Sequence, residues 1–165
     1  MKSGLTIRED NYSVVLDALK QLSGTDVLVG IPAGPPRDDA PLSNAELGYL
    51  QSTGATVEID GETVTLPPRP FLDMGIEDSR DKTTERLKLA AQSALEGNTG
   101  VAEQHLEAAG QIASSASKAV ISAGDRLTPL SEKTKAKRRK NGQDFKPLYD
   151  THSLMDSITY VVRKK

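Results

Sequence analysis

Residues 55–72 read ATVEIDGETVTLPPRPFL: two alternating segments, a turn dipeptide between them, then three prolines around one arginine. Asp60-Gly61 is the preferred pair for a two-residue type I′ turn. That register sets Val57 opposite Val64, Ile59 opposite Glu62 and Ala55 opposite Leu66. Val57, Ile59, Val64 and Leu66 then share one face, and Thr56, Glu58, Thr63 and Thr65 the other, so a half-buried hairpin is expected. It cannot continue past Leu66. Each proline fixes its own φ, lacks an N–H and pushes the residue before it toward extended geometry. Residues 66–69 are therefore a stiff strap, and Pro70 suits the first helical turn, where a missing N–H costs nothing. Phe71 and Leu72 are expected to anchor this strand-to-helix connector in a core.

Upstream, Tyr12, Val15, Leu16, Leu19 and Leu22 fall at helical spacing, with Gly24 as the stop. Residues 27–31 read as a short buried strand closed by Pro32. Residues 32–42 form a loop by composition. Ser43 and Glu46 have capping-box spacing and open a short helix running to about Thr53. Downstream, residues 72–96 are helical in composition, and EGNTG interrupts them. A second long helix over 100–123 carries a stripe of small residues, Ala109, Ala113, Ala116 and Ala119, beside Gly110, which invites close packing against another helix or another subunit. Residues 125–147 are polar and basic, expected to be a flexible loop with a short helix at 131–140. One helical turn near Leu154 leads to a terminal strand in which Ile158, Tyr160 and Val162 alternate with Thr159, Val161 and Arg163. The expected class is α+β: a small mixed or antiparallel sheet of about four strands, joined by the terminal strand and packed on two long helices and a short N-terminal one.

At 165 residues the chain suits one domain. Aromatic residues make up only 4% and Trp is absent, so the core must be aliphatic and thin, as in a subunit completed by its neighbours. A net charge of −2 argues against nucleic-acid binding by the protein as a whole. Without cysteine there are no disulfides and no thiolate metal sites. No apolar run approaches the roughly 20 residues of a membrane span, and the N-terminus has no signal-peptide pattern, so a soluble protein made in the cytoplasm is expected.

Catalytic signatures are scarce. No phosphate-cradling, dinucleotide, HExxH or GxSxG motif occurs. His105 and His152 lie in different elements with no acidic cluster near either, and Asp38-Asp39 reads as a solvated loop pair. No catalytic residue, metal ligand or cofactor is therefore expected. The departure from neutrality is KTKAKRRKNG, where Lys133, Lys135, Lys137, Arg138, Arg139 and Lys140 place six cations in eight positions. Such a stretch is either a solvated loop or a contact with DNA phosphates or an acidic partner. No aromatic residue is interleaved, so any DNA contact would be to the backbone and blind to sequence.

Three separated stretches match one pattern. NAELGYLQSTGA (44–55) followed by LPPRPFL (66–72) resembles the E-x-G and PxRPFL passage of tailed-bacteriophage neck or tail-completion proteins. That family includes the tenth gene product of phage HK97 and minor tail protein Z of phage lambda. LTPLSEKTKAKRRKNG (127–142) is similar to a further segment of the family. KPLYDTHSLMDSITYVVR (146–163) is similar to its near-terminal signature, carried here by Asp150, Thr151, Leu154, Ser157 and Ile158. They occur in the family's order along the chain. One position departs: the family usually has Gly where this chain has His152. If φ > 0 is needed there, histidine adopts it only at some cost, which puts the turn itself in question.

The resemblance implies a virion protein of the head–tail junction, a ring of copies of this chain around the DNA channel, contacting head-closure and tail-terminator or tail-tube proteins. Pro68, Arg69, Pro70 and Phe71 would then fix the angle between hairpin and helix, with Arg69 paired to a carboxylate of its own or a neighbouring subunit. Ala109, Ala113 and Ala116 would serve close packing in the assembly. The basic stretch would face channel DNA or, by slight preference, the next ring. Competing readings are a tail-terminator or other tail-morphogenesis subunit, a small DNA-binding accessory protein using residues 133–140, and a hydrolase using His152 with Asp150 or Asp156.

Overall fold

The computed structural model describes residues 11–38, 41–59, 61–150 and 152–165. In chain order these form α1 (Tyr12–Ser23), β1 (Thr25–Gly30), α2 (Asn44–Thr53), β2 (Ala55–Ile59), β3 (Glu62–Leu66), α3 (Phe71–Asp78), α4 (Arg80–Leu95), α5 (Thr99–Ala123), α6 (Glu132–Lys140), α7 (Ser153–Asp156) and β4 (Thr159–Lys164). The α+β class is as expected.

The hairpin has the expected register, Ala55 opposite Leu66, Val57 opposite Val64 and Ile59 opposite Glu62. Gly61 has φ 76°, the left-handed backbone a primed turn requires; Asp60 lies outside the described residues. The capping box also forms. The Ser43 backbone N–H and hydroxyl each meet the Glu46 carboxylate at 2.8 Å, and the Glu46 N–H donates back to Ser43 Oγ at 3.3 Å. Both features rest on residues a few positions apart, and both survive folding unchanged.

The sheet does not form as expected. Instead of about four strands in one sheet, the described residues form two antiparallel pairs, β1 with β4 and β2 with β3. The terminal strand returns to β1, with Val27 opposite Val162 and Val29 opposite Tyr160. Pro67 and Pro68, which offer no N–H, end the hairpin's ladder at Leu66. A second correction concerns residues 72–96, which form two helices broken at Ser79. Its hydroxyl donates to the carbonyls of Gly75 (2.9 Å) and Ile76 (3.1 Å), competing with the helix ladder at the break.

Packing centres on α5. One core cluster gathers Phe71, Val120, Ile121, Leu127, Leu154 and Ile158, joining the strap, the long helix and the C-terminal signature. Small residues let two neighbours press onto α5. A β-carbon on Gly75 would overlap the Ser117 backbone, and one on Gly110 would overlap the Tyr160 ring. The close-packed stripe is Ala109, Gly110, Ala113, Ser114 and Ser117, all buried within this chain, while Ala116 is half-buried and Ala119 exposed.

The third correction is α1. Its buried contact is Ala18, packed with Leu22 against Ala94 of α4 and Ala102 of α5. Of the apolar residues at helical spacing, Tyr12, Val15, Leu16 and Leu19 are exposed in this chain, Tyr12 by 73% and Leu19 by 50%. The helical period locates an apolar stripe, but what covers it depends on where the rest of the chain runs.

Candidate functional site

Four prolines create the site's first problem. Pro67, Pro68 and Pro70 in the strap and Pro129 beyond α5 each supply a carbonyl but no N–H. These two segments lie side by side, and carbonyls outnumber backbone donors between them. Arg69 supplies the difference. Its Nε donates to Thr128 O at 2.7 Å, its Nη2 to Pro129 O at 3.1 Å and its Nη1 to Gln51 Oε1 at 3.0 Å. The Arg69 backbone N–H donates to Gln51 O at 2.8 Å, and Thr128 Oγ1 donates to Pro68 O at 3.1 Å. The residue is 5% exposed. Among the described residues the guanidinium's partners are therefore neutral oxygens, not the carboxylate expected from the sequence. Burial, then the nearby Arg138 charge, lowers its pKa; an arginine nonetheless stays protonated.

Pro70 completes the strap. With φ −77° and ψ 62°, and the Phe71 N–H reaching Arg69 O at 2.8 Å, it is the centre of an inverse γ-turn. It precedes α3 rather than entering it. This tight bend swings Phe71 into the core, where it is fully buried, while Pro68 stays exposed.

Helix α6 makes the opposite wall. Ser131 caps it, accepting from the Thr134 N–H at 3.2 Å. Ser131, Thr134 and Arg138, at i, i+3 and i+7, face a cleft of about 530 Å3 that is also bordered by residues 64–66 of β3, Arg69, Leu148, Asp150 and His152. The structure thus brings the strap, the residues 129–138 and the C-terminal signature to one place.

The basic stretch is divided by the fold. Lys133 bonds Glu62 of the hairpin at 2.8 Å, and Lys135 bonds Glu132 at 2.7 Å. Arg138 Nη1 donates to the carbonyls of Asp144 (2.8 Å) and Lys146 (3.0 Å), and Arg139 lies over the Phe145 ring at 5.7 Å. Among the described residues, no hydrogen bond or ion pair engages Lys137 or Lys140.

The C-terminal signature is also divided. Leu154 and Ile158 are core residues, and Ser157 Oγ donates to Leu154 O at 2.7 Å, bracing α7. Asn44 Nδ2 donates to Ser153 Oγ at 3.1 Å, tying α7 to α2. Asp150 accepts from Gln143 Nε2 at 2.8 Å at the cleft margin. Thr151 lies outside the described residues. His152 has φ 61°, the conformation a glycine would adopt freely, so the backbone turns left-handed there despite the side chain. Its ring meets Tyr149 edge-on at 4.1 Å, and its Nε2 is buried without a partner. Leu148, at φ 62°, is a second strained residue on the same cleft.

His105 instead contacts Arg86, at 3.4 Å from its Nη1. Asp38 is an exposed loop residue and Asp39 lies outside the described residues. No group of three or more His, Cys, Asp or Glu side chains suited to a metal ion occurs among the described residues. Gln51, Thr128 and Leu148 were not singled out from sequence; the surplus of proline carbonyls was the available signal for the first two.

No protein-family model matches the chain, and no curated protein or solved structure is significantly similar to it.

Proposed function

We propose that this chain is a structural virion protein of a tailed phage or prophage, a ring-forming neck or tail-completion subunit acting by protein–protein contact at the head–tail junction. The observation that carries the proposal is convergence. Three stretches resembling the neck family, far apart in sequence, border one cleft around Arg69. The strap's inflexibility suits a subunit that must present identical surfaces around a ring. Uncovered apolar residues on α1 suit a subunit packed against neighbours. A tail-terminator or other tail-morphogenesis subunit is the nearest alternative.

The test is electron microscopy of lysates after a nonsense codon replaces Tyr12 in the phage or prophage. Filled heads and finished tails lying apart support the neck position. Tails of uncontrolled length support the terminator. Intact infectious particles remove both. The DNA-binding reading is weakened by the cations already engaged within the fold. Lys133 and Lys135 are ion-paired within the fold, so the four remaining cations would give duplex affinity a slope of about −4 with log salt, and a slope near zero removes the reading.

A further inference from the structure

We infer that the cleft between β3 and α6 receives an extended, carboxylate-bearing segment of a partner protein, with an acidic side chain on Arg138 and its backbone along the open edge of β3. Residues 64, 65 and 66 all border the cleft. Consecutive strand residues point to opposite faces, so what the cleft meets is the strand's edge. Ile59 lies opposite Glu62, and in a hairpin of this register the first pair after the turn is a hydrogen-bonded one. Counting along the ladder, Val64 and Leu66 also bond to β2, whereas Thr63 and Thr65 direct their N–H and C=O groups to the edge that pairs with no strand among the described residues. Such an edge is the usual template for adding an extended peptide.

Charge selects the peptide. Arg138 is held through Nη1 alone, bonded to two backbone carbonyls. Among the described residues its Nε and Nη2 N–H groups have no partner, and this pair forms the edge of the guanidinium that grips a carboxylate in bidentate fashion. Arg69 stands close enough to feel Arg138's charge and pairs with no carboxylate among the described residues. Asp150, the acid bordering the cleft, is already bonded to Gln143. The cleft volume lies within the roughly 300–1,000 Å3 of ordinary ligand clefts. This inference concerns the isolated chain and stands apart from the neck reading, since binding is measured on purified protein and assembly on particles.

The experiment titrates isotope-labelled full-length protein with acetyl-Thr-Glu-Val-Asp-Thr-amide and with its Gln/Asn counterpart. The Arg138 Nε–H and Thr65 amide resonances are followed by NMR. Both should shift, saturating at about millimolar peptide or below, and the amide counterpart should bind about tenfold or more weakly. Arg138→Lys, which keeps charge but loses the fork, should also weaken binding about tenfold, with the dispersed spectrum confirming its fold. Absence of shifts, equal shifts from the uncharged peptide, or shifts confined to Lys137 and Lys140 would overturn the inference. A larger Arg138 response to duplex DNA than to the peptide would overturn it in favour of phosphate.

Discussion

Arg69 donates from Nε to the carbonyl of Thr128, 59 residues away, at 2.7 Å, and by this bond the proline strap is fastened to the segment that follows the longest helix. Two more bonds spread from the same guanidinium, so removal leaves several buried acceptors unsatisfied at once. Arg69→Met should destabilise the fold by about 3 kcal/mol or more. Arg69→Lys should recover little of this, because one ammonium cannot span three diverging acceptors. Urea unfolding of both variants checks the point; a near-neutral Lys variant would show that charge alone matters.

Phe71 is fully buried where the strap enters α3. Phe71→Ala should cost about 3–5 kcal/mol by chemical denaturation. A loss below about 1 kcal/mol would mean that the strap is held by its hydrogen bonds rather than by its anchor.

His152→Gly should stabilise the protein by about 1 kcal/mol. It relieves a left-handed backbone and removes the orphaned Nε2, against loss of the Tyr149 edge contact. Thermal unfolding of the two proteins side by side decides; a lower midpoint for Gly would show that the aromatic contact outweighs the backbone.

Gly75→Ala drives a methyl group into the Ser117 backbone, where no flexible side chain can yield. A loss of about 2 kcal/mol or more is expected. Gly61→Ala meets no neighbour, and its cost is the backbone's left-handed φ alone. The ratio of the two losses separates packing from conformational strain.

Glu46 has a lowered pKa chiefly because the Ser43 backbone N–H donates to it, then because the Ser43 hydroxyl does. A lowered folded-state value means that the cap's contribution is present above the unfolded-state pKa and fades as pH falls through the folded one. Stability should therefore decline below about pH 5, and Glu46→Gln should flatten that part of the profile. Asp26, held down by Lys165 and then Arg163, titrates in the same sense, so some acid sensitivity should persist in the variant.

The hairpin register, the capping box and the strap's stiffness were legible in the sequence because each is settled between residues a few positions apart. Alternation, a turn dipeptide, a hydroxyl three residues before a carboxylate, and prolines all act through their own backbone neighbourhood. The cleft was legible only as three disconnected signatures. Nothing in residues 66–72 names the Thr128 carbonyl as Arg69's acceptor, although four prolines imply that some donor must be found. The six cations read as one patch, yet helical geometry and the position of the hairpin divided them into a tether to the hairpin, an ion pair within α6, a backbone clamp, an aromatic contact and two lysines that engage nothing among the described residues. Strand pairing was likewise decided by tertiary structure, since two prolines end the hairpin's ladder while β1 and β4 meet only after α5 has been laid down between them in the chain. Local hydrogen bonding and steric preference determine elements; which elements touch depends on burying Phe71, Ile121, Leu154 and Ile158 together, and no short window of sequence contains that choice.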